Sequence, residues 1–188
     1  MGSELLLVVR ALEFAARRHA AQRRKGAAAE PYVNHLAEVA RLLAEACDGR
    51  DAELVAAGLL HDTLEDTATR AEELEREFGL VVLGLVREVT DDKSLPRLER
   101  KRLQVQTAGG KSPRARMIKI ADKTSNLRSI LTSPPAGWGR RRRQEYFLWA
   151  ARVVERCRGV SAPLEAAFDQ AYREGLQGLG LPAGGAPS

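Results

Sequence analysis

Within residues 61–66 the chain places His61, Asp62, Glu65 and Asp66, and these are side chains whose types and spacing could do chemistry. They follow an apolar run, Val55-Ala56-Ala57-Gly58-Leu59-Leu60, with no turn signal between. Such a run reads as a buried helix, so His61 and Asp62 are carried into an interior where charge is costly unless paired or bound to a metal. On a helix Glu65 follows His61 by one turn, about 6 Å away, and Asp66 follows Asp62 in the same way. The segment offers two candidate metal ligands, with two carboxylates one turn on that could orient a water and take its proton.

His35 and Asp122 can complete the set. Taken singly, a helical histidine is usually a packed residue, and Glu65 with Asp66 alone would read as a solvated acidic face; the apolar lead-in and the adjacent His-Asp pair set this segment apart. Two imidazoles and two carboxylates form a mixed nitrogen and oxygen set that accepts Mn²⁺, Fe²⁺ or Zn²⁺, and carboxylate and water ligands favour Mn²⁺. Structural zinc more often recruits cysteine, and none is near. A metal held this way lowers the pKa of a bound water and polarises a phosphoryl oxygen, which is the chemistry of phosphate-ester hydrolysis. Arg24 and Lys25 lie ten residues before His35, where they either cap a helix end by charge or meet a ligand. Arg140 to Arg143 place four cations at an expected helix N-terminus, against the macrodipole; a phosphate would offset them, and a solvated basic edge is the alternative.

The elements that must position these residues all read as helical. The expectation is one all-α domain of about nine helices over residues 1–178, with a Gly-, Pro- and Ala-rich tail, 179–188, expected to be disordered. A chain of 188 residues buries roughly 70% of its unfolded surface and can hold a core. The first helix is expected over residues 4–23, burying Leu5, Val9, Leu12, Ala16 and Ala20. Asn34 is the expected N-cap of the second helix, which puts His35 in its first turn; Asp51 caps the third, which would carry His61 and Asp62 mid-helix. Thr69-Arg70-Ala71-Glu72 reads as a capping box for a fourth helix closed by Gly79, with a fifth over 80–89. Pro96 opens a sixth, to about Ala108; Ser112-Pro113 opens a seventh, to about Leu131, with Asp122 inside its apolar pattern and Asn126 one turn on. An eighth covers 140–157, carrying Arg142 and Tyr146, and Ser161 caps a ninth.

Composition narrows the partners. Thirty Lys and Arg against 25 Asp and Glu give a net charge of +5, which favours anionic partners. The excess is modest enough for a small phosphorylated ligand, and aromatics at 5% are not interleaved with basic residues as a nucleic-acid stacking platform requires. Cys47 and Cys157 stand apart without metal-binding spacing, which fits reduced thiols in a cytoplasm. The run Leu5 to Val9 is broken by Arg10 and Glu13, too soon for a signal peptide or membrane span, so a soluble chain is expected. Nothing in the sequence sets an oligomeric state.

The spacing of His35, His61-Asp62 and Asp122 resembles the HD-domain metal-dependent phosphohydrolases. Arg24-Lys25, Pro31-Tyr32-Val33-Asn34-His35, Leu59-Leu60-His61-Asp62-Thr63-Leu64-Glu65-Asp66-Thr67, Phe78-Gly79, Val89-Thr90-Asp91-Asp92 and Ala121-Asp122-Lys123-Thr124-Ser125-Asn126-Leu127 resemble the hydrolase domain of the RelA/SpoT alarmone enzymes. Leu95-Pro96-Arg97-Leu98-Glu99-Arg100-Lys101, Gly137-Trp138 and Gln144-Glu145-Tyr146-Phe147 are similar to its stand-alone form, the small alarmone hydrolases typified by the metazoan SpoT homologue. The resemblance implies one Mn²⁺ held by His35, His61, Asp62 and Asp122, with Glu65 and Asp66 activating the metal-bound water. It implies nucleotide contacts from Arg24, Lys25 and Asn126, and approach of Arg142 and Tyr146 to phosphates and ribose. The implied reaction is removal of the 3′ pyrophosphate from ppGpp or pppGpp, giving GDP or GTP. Two alternatives use the same site: removal of the 2′-phosphate of NADPH, and a non-catalytic HD module that binds alarmone without cleaving it. A general HD nucleotidase explains Arg24-Lys25 less well. Leu36 replaces a common proline, and Thr124-Ser125 replaces a bulkier pair beside the nucleotide, so Ser125 is expected to widen or repolarise the pocket wall and to bear on base selectivity. The chain ends where a synthetase domain would begin, so no synthesis activity is expected.

Overall fold

Two helices form the framework on which the others rest. The computed structural model describes residues 2–181, and among the described residues lie nine α-helices: α1 (Gly2–Arg18), α2 (Val33–Ala46), α3 (Ala52–Leu60), α4 (Thr63–Asp66), α5 (Ala71–Val89), α6 (Arg97–Thr107), α7 (Pro113–Thr132), α8 (Arg140–Glu155) and α9 (Ala162–Gly178). A 3-10 turn, Ala108–Gly110, extends α6, and the only β pairing among the described residues is two isolated bridges, Arg23 with Pro31 and Gly26 with Pro135. The fold is all-α, as its periodicity requires. Helix α3 packs against α1, α2 and α5, while α7 packs against α2, α5, α8 and α9. Because α3 is apolar on every side, every residue from Leu54 to Leu60 is buried. Helix α7 is the opposite case: it buries Lys119, Asp122, Lys123, Thr124 and Ser125 among its apolar residues.

Several boundaries follow local chemistry. Asp51 accepts from the Leu54 N–H at 3.0 Å, and Ser112 from the Ala115 N–H at 3.3 Å, so both expected caps form. Gly79 has φ 82° inside α5, a left-handed conformation suited to glycine, and it kinks the element into the two helical segments its position predicts.

Other expectations are corrected. Helix α1 buries Ala11, Phe14 and Ala15 and exposes Leu5, Val9 and Leu12. Both stripes have helical spacing; the small alanines allow close approach to α3, and Phe14 meets Phe78 edge-on at 5.3 Å. The same helix stops at Arg18 rather than residue 23, because the following chain turns into a backbone-paired loop, with Arg24 N–H donating to Glu30 O at 2.8 Å and Tyr32 N–H to Gln22 O at 3.1 Å. Helix α2 starts at Val33, one residue before the expected Asn34 cap. Thr69 bonds Thr67 at 2.7 Å and caps nothing, so the expected capping box is absent and Arg70 occupies the N-cap of α5. Ser161 makes no side-chain cap; Glu165 Oε1 instead accepts from the N–H groups of Gly159, Val160 and Ser161 at 2.9, 3.3 and 3.3 Å. Leu179 is buried and its N–H donates to Gly175 O at 3.1 Å, so the expected tail has packed contacts at its start; residues 182–188 of it lie outside the described residues. Among the described residues no helix is long and apolar enough to cross a membrane.

Candidate metal centre

The opening motif lies where α3 ends, and the expected continuous helix is broken there. His61 Nδ1–H donates to Gly58 O at 2.8 Å and Thr63 Oγ1 donates to Leu60 O. These side chains bond carbonyls within their own turn and compete with the backbone ladder, so His61 becomes the C-cap of α3 and Asp62 the N-cap of α4. The break leaves His61 Nε2 as the ring's lone-pair end.

His35 arrives from the first turn of α2 and Asp122 from the middle of α7. One ligand atom each from His35, His61 and Asp62 lies within 4.8 Å of the other two. Asp122 Oδ1 stands 3.4 Å from His35 Nε2 and 3.8 Å from His61 Nε2, and Asp62 Oδ2 stands 3.8 and 3.0 Å from the same atoms. Both Nε2 atoms are buried, and despite that closeness neither is aligned with a carboxylate oxygen for a hydrogen bond of ordinary geometry. Two buried ring nitrogens converging on two carboxylates form a nitrogen and oxygen donor set that fits a divalent cation, with a proton on His61 as its stand-in when no ion is bound.

The electrostatics agree. Burial lowers the His61 pKa, but Asp62 and Asp122 outweigh it and push it up to about 9, so the carboxylate pair calls for positive charge. Burial dominates at His35 and holds its pKa below the ordinary value. Burial would raise both aspartates, yet His61 holds Asp62 down and Lys123, bonded to Asp122 Oδ2 at 2.8 Å, holds Asp122 well down. Tyr32 donates to Asp62 Oδ2 at 2.6 Å and Asn126 Nδ2 to Asp122 Oδ1 at 2.5 Å, so both carboxylates are braced from outside.

Glu65 and Asp66 project from α4 into the polar chamber of about 180 Å³ that His61, Asp62 and Asp122 also line. Burial raises the Glu65 pKa; its oxygens face the Asp91 N–H at 3.2 Å and Arg100 at 3.5 Å. Asp66 is paired with Lys93. A second cavity of about 340 Å³ adjoins the chamber, sharing Tyr32, Glu65 and Asn126 with it, within the size range of small-molecule sites. Arg24 and Lys25 line it, and Arg24 donates to Asn126 Oδ1 at 3.0 Å. Tyr146 lines the far wall beside Trp138 and Trp149, its pKa pushed up to about 12 by burial. Arg142 is exposed, lies over the Trp138 ring at 4.6 Å and does not itself line the cavity. Thr124 and Ser125 are turned away from the cavity: Thr124 donates to Ile120 O at 2.8 Å and Ser125 faces His35 at 2.9 Å. The expected change of pocket wall by Ser125 is therefore corrected.

Residue-by-residue reading missed the cationic wall of α6. Arg97, Arg100 and Lys101 line the larger cavity, and Lys101 and Lys123 lie 4.4 and 4.6 Å from the Trp149 ring. A signal was present: Arg97, Glu99, Arg100, Lys101 and Arg102 put five charges in six residues, and so charged a helix has some use other than core packing.

Residues 11–151 match the HD domain family, and the chain belongs to that family. Within it the chain is similar to Guanosine-3′,5′-bis(diphosphate) 3′-pyrophosphohydrolase MESH1 of Homo sapiens, 48% identical over 174 residues, 93% of this chain and 97% of the relative. The protein of the same name from Drosophila melanogaster is 49% identical over 164 residues, 87% of this chain and 91% of the relative. A solved structure described as "A metazoan ortholog of SpoT hydrolyzes ppGpp and plays a role in starvation responses" superposes with a TM-score of 0.86 at 46% identity, covering 89% of this chain and 94% of that one.

Proposed function

We propose that this protein is a Mn²⁺-dependent (p)ppGpp 3′-pyrophosphohydrolase, releasing pyrophosphate and GDP or GTP. The observation that carries the reading is the pair of buried imidazole nitrogens facing two aspartates beside a cation-lined cavity. Likeness to proteins named for this activity supports it. His35, His61, Asp62 and Asp122 would hold the ion. When bound, a divalent cation supplies Lewis acidity toward water and phosphoryl oxygen.

The chain's own residues supply the rest. Glu65 takes the proton of the attacking water, since burial raises its carboxyl pKa from the ordinary value and improves it as a base. Asp66, neutralised by Lys93, orients that water. Arg24, Lys25 and the α6 cations hold the phosphates, and Asn126 links Arg24 to Asp122, tying substrate position to the ligand set. Water adds to the phosphorus on the 3′ oxygen, the 3′ O–P bond breaks, and the proton taken from the water balances the departing 3′ oxygen, which leaves as the ribose hydroxyl.

Incubation of purified protein with ppGpp and Mn²⁺ is expected to give GDP and pyrophosphate, and chelation to stop it. Absence of turnover across several divalent metals overturns the reading. NADPH in parallel, compared by kcat/KM, tests the 2′-phosphatase alternative, and tight ppGpp binding without product marks a non-catalytic binding module.

A further inference from the structure

Behind His35 runs a chain of polar side chains that plays no part in the mechanism above. His35 and Glu38 stand one turn apart on α2, Ser125 and Arg128 one turn apart on α7. His35 Nδ1 lies 2.9 Å from Ser125 Oγ, that hydroxyl lies 2.6 Å from Glu38 Oε2, and Arg128 Nη1 lies 3.0 Å from Glu38 Oε1. The donor inventory fixes the direction. An ionised carboxylate only accepts, and a serine has a single hydroxyl hydrogen, so Ser125 donates to Glu38 and its oxygen accepts from His35 Nδ1–H. Arg128 keeps Glu38 ionised and in place. Ser125 is 1% exposed, and nothing lets the ring turn without breaking the bond.

We propose that Ser125 and Glu38, braced by Arg128, are positioning residues that lock His35 in the Nδ1–H tautomer and aim its Nε2 lone pair at the metal. This rests on the reading of His35 as a metal ligand. Serine at position 125 then acts on metal affinity, not on base selectivity. Its partners are 87 to 90 residues away in sequence, so the relay also clamps α2 to α7 at the site.

The test uses metal-stripped protein titrated with Mn²⁺, free ion being followed by electron paramagnetic resonance, together with long-range ¹H–¹⁵N spectra of the histidine rings. The chain has three histidines, and the His35→Ala spectrum assigns the signal by its loss. Ser125→Ala is expected to weaken Mn²⁺ binding about tenfold and to give mixed tautomers at His35, while Ser125→Thr restores most of both. Glu38→Ala leaves the serine in place but frees its hydroxyl to donate to Nδ1, so the ring shifts toward the Nε2–H tautomer and binding again falls. Thermal melts of the metal-free variants show that each is folded. If Ser125→Ala and Glu38→Ala bind Mn²⁺ as the parent does, with His35 still Nδ1–H, the relay is overturned while the ligand reading stands. If the parent binds no Mn²⁺, or His35→Ala binds it equally well, the ligand reading falls and takes the relay with it.

Discussion

His61 and His35 present equivalent nitrogens to the same two aspartates but are held there by opposite means. The His61 ring is fixed within its own turn, by the carbonyl of Gly58 three residues back. The His35 ring is fixed across the fold, by Ser125 on a helix ninety residues away. A ligand fixed locally forms as soon as its turn forms, whereas one fixed by tertiary contacts forms only when α2 and α7 have docked. The difference teaches what a sequence can show of such a site: His61 and Asp62 stand out by adjacency, whereas the side chains that fix His35 come into view only when the helices pack.

The comparison can be broken most severely at the aspartates. Asp62→Ala is expected to abolish bound metal and turnover together, because it removes one of the two carboxylates that face both rings; metal analysis alongside product assay checks this, and retained metal would unseat Asp62 as a ligand. Glu65→Gln separates chemistry from binding. Metal content should persist while kcat falls roughly 10²–10⁴-fold, the range for loss of a general base; an emptied site would move Glu65 among the ligands instead.

A smaller perturbation addresses the local half through packing. A Cβ added at Gly58 overlaps the Leu43 side chain of α2, so Gly58→Ala should cost about 1–3 kcal/mol and displace the carbonyl that orients His61. Chemical denaturation gives the first effect, and Mn²⁺ titration gives the second. An unchanged metal affinity would show that the His61 ring does not depend on that carbonyl.

The least severe test uses pH. In the metal-free protein the His61 pKa is raised from 6.5 to about 9. Its attraction to the carboxylates therefore stabilises the fold fully below pH 6.5 and is lost as pH rises through 9. A bound ion takes the place of that proton, so metal affinity should run the other way, rising by about tenfold per pH unit over this window for one competing proton. Melting temperatures with and without Mn²⁺ should diverge steadily between pH 6.5 and 9; parallel curves would mean that His61 is neutral without metal.

How much was legible follows the same division. The caps at Asp51 and Ser112, the kink at Gly79 and the buried course of α3 are local or periodic signals, and each appears where the residues place it. The face that α1 buries was not legible, since two stripes shared the spacing and the smaller side chains of Ala11 and Ala15 won by letting the helices approach. The break at His61 was hidden because an apolar run does not show that His61 and Thr63 will bond their own carbonyls. His61, Asp62, Glu65 and Asp66 announce themselves by adjacency. Ser125 and Glu38 do not, because a serine and a glutamate far apart in the chain carry no sign of each other until α2 meets α7.

Helix α6 brings its cations to the cavity while none of its side chains is fully buried. Exchanging the exposed Arg97 on that surface leaves the hydrophobic interior untouched, so under the proposed function the anion preference can change without cost to folding. On the proposed reading, Arg97 is where evolution can retune the choice of substrate, whereas Arg100 reaches the Glu65 carboxylate and is tied to the chemistry.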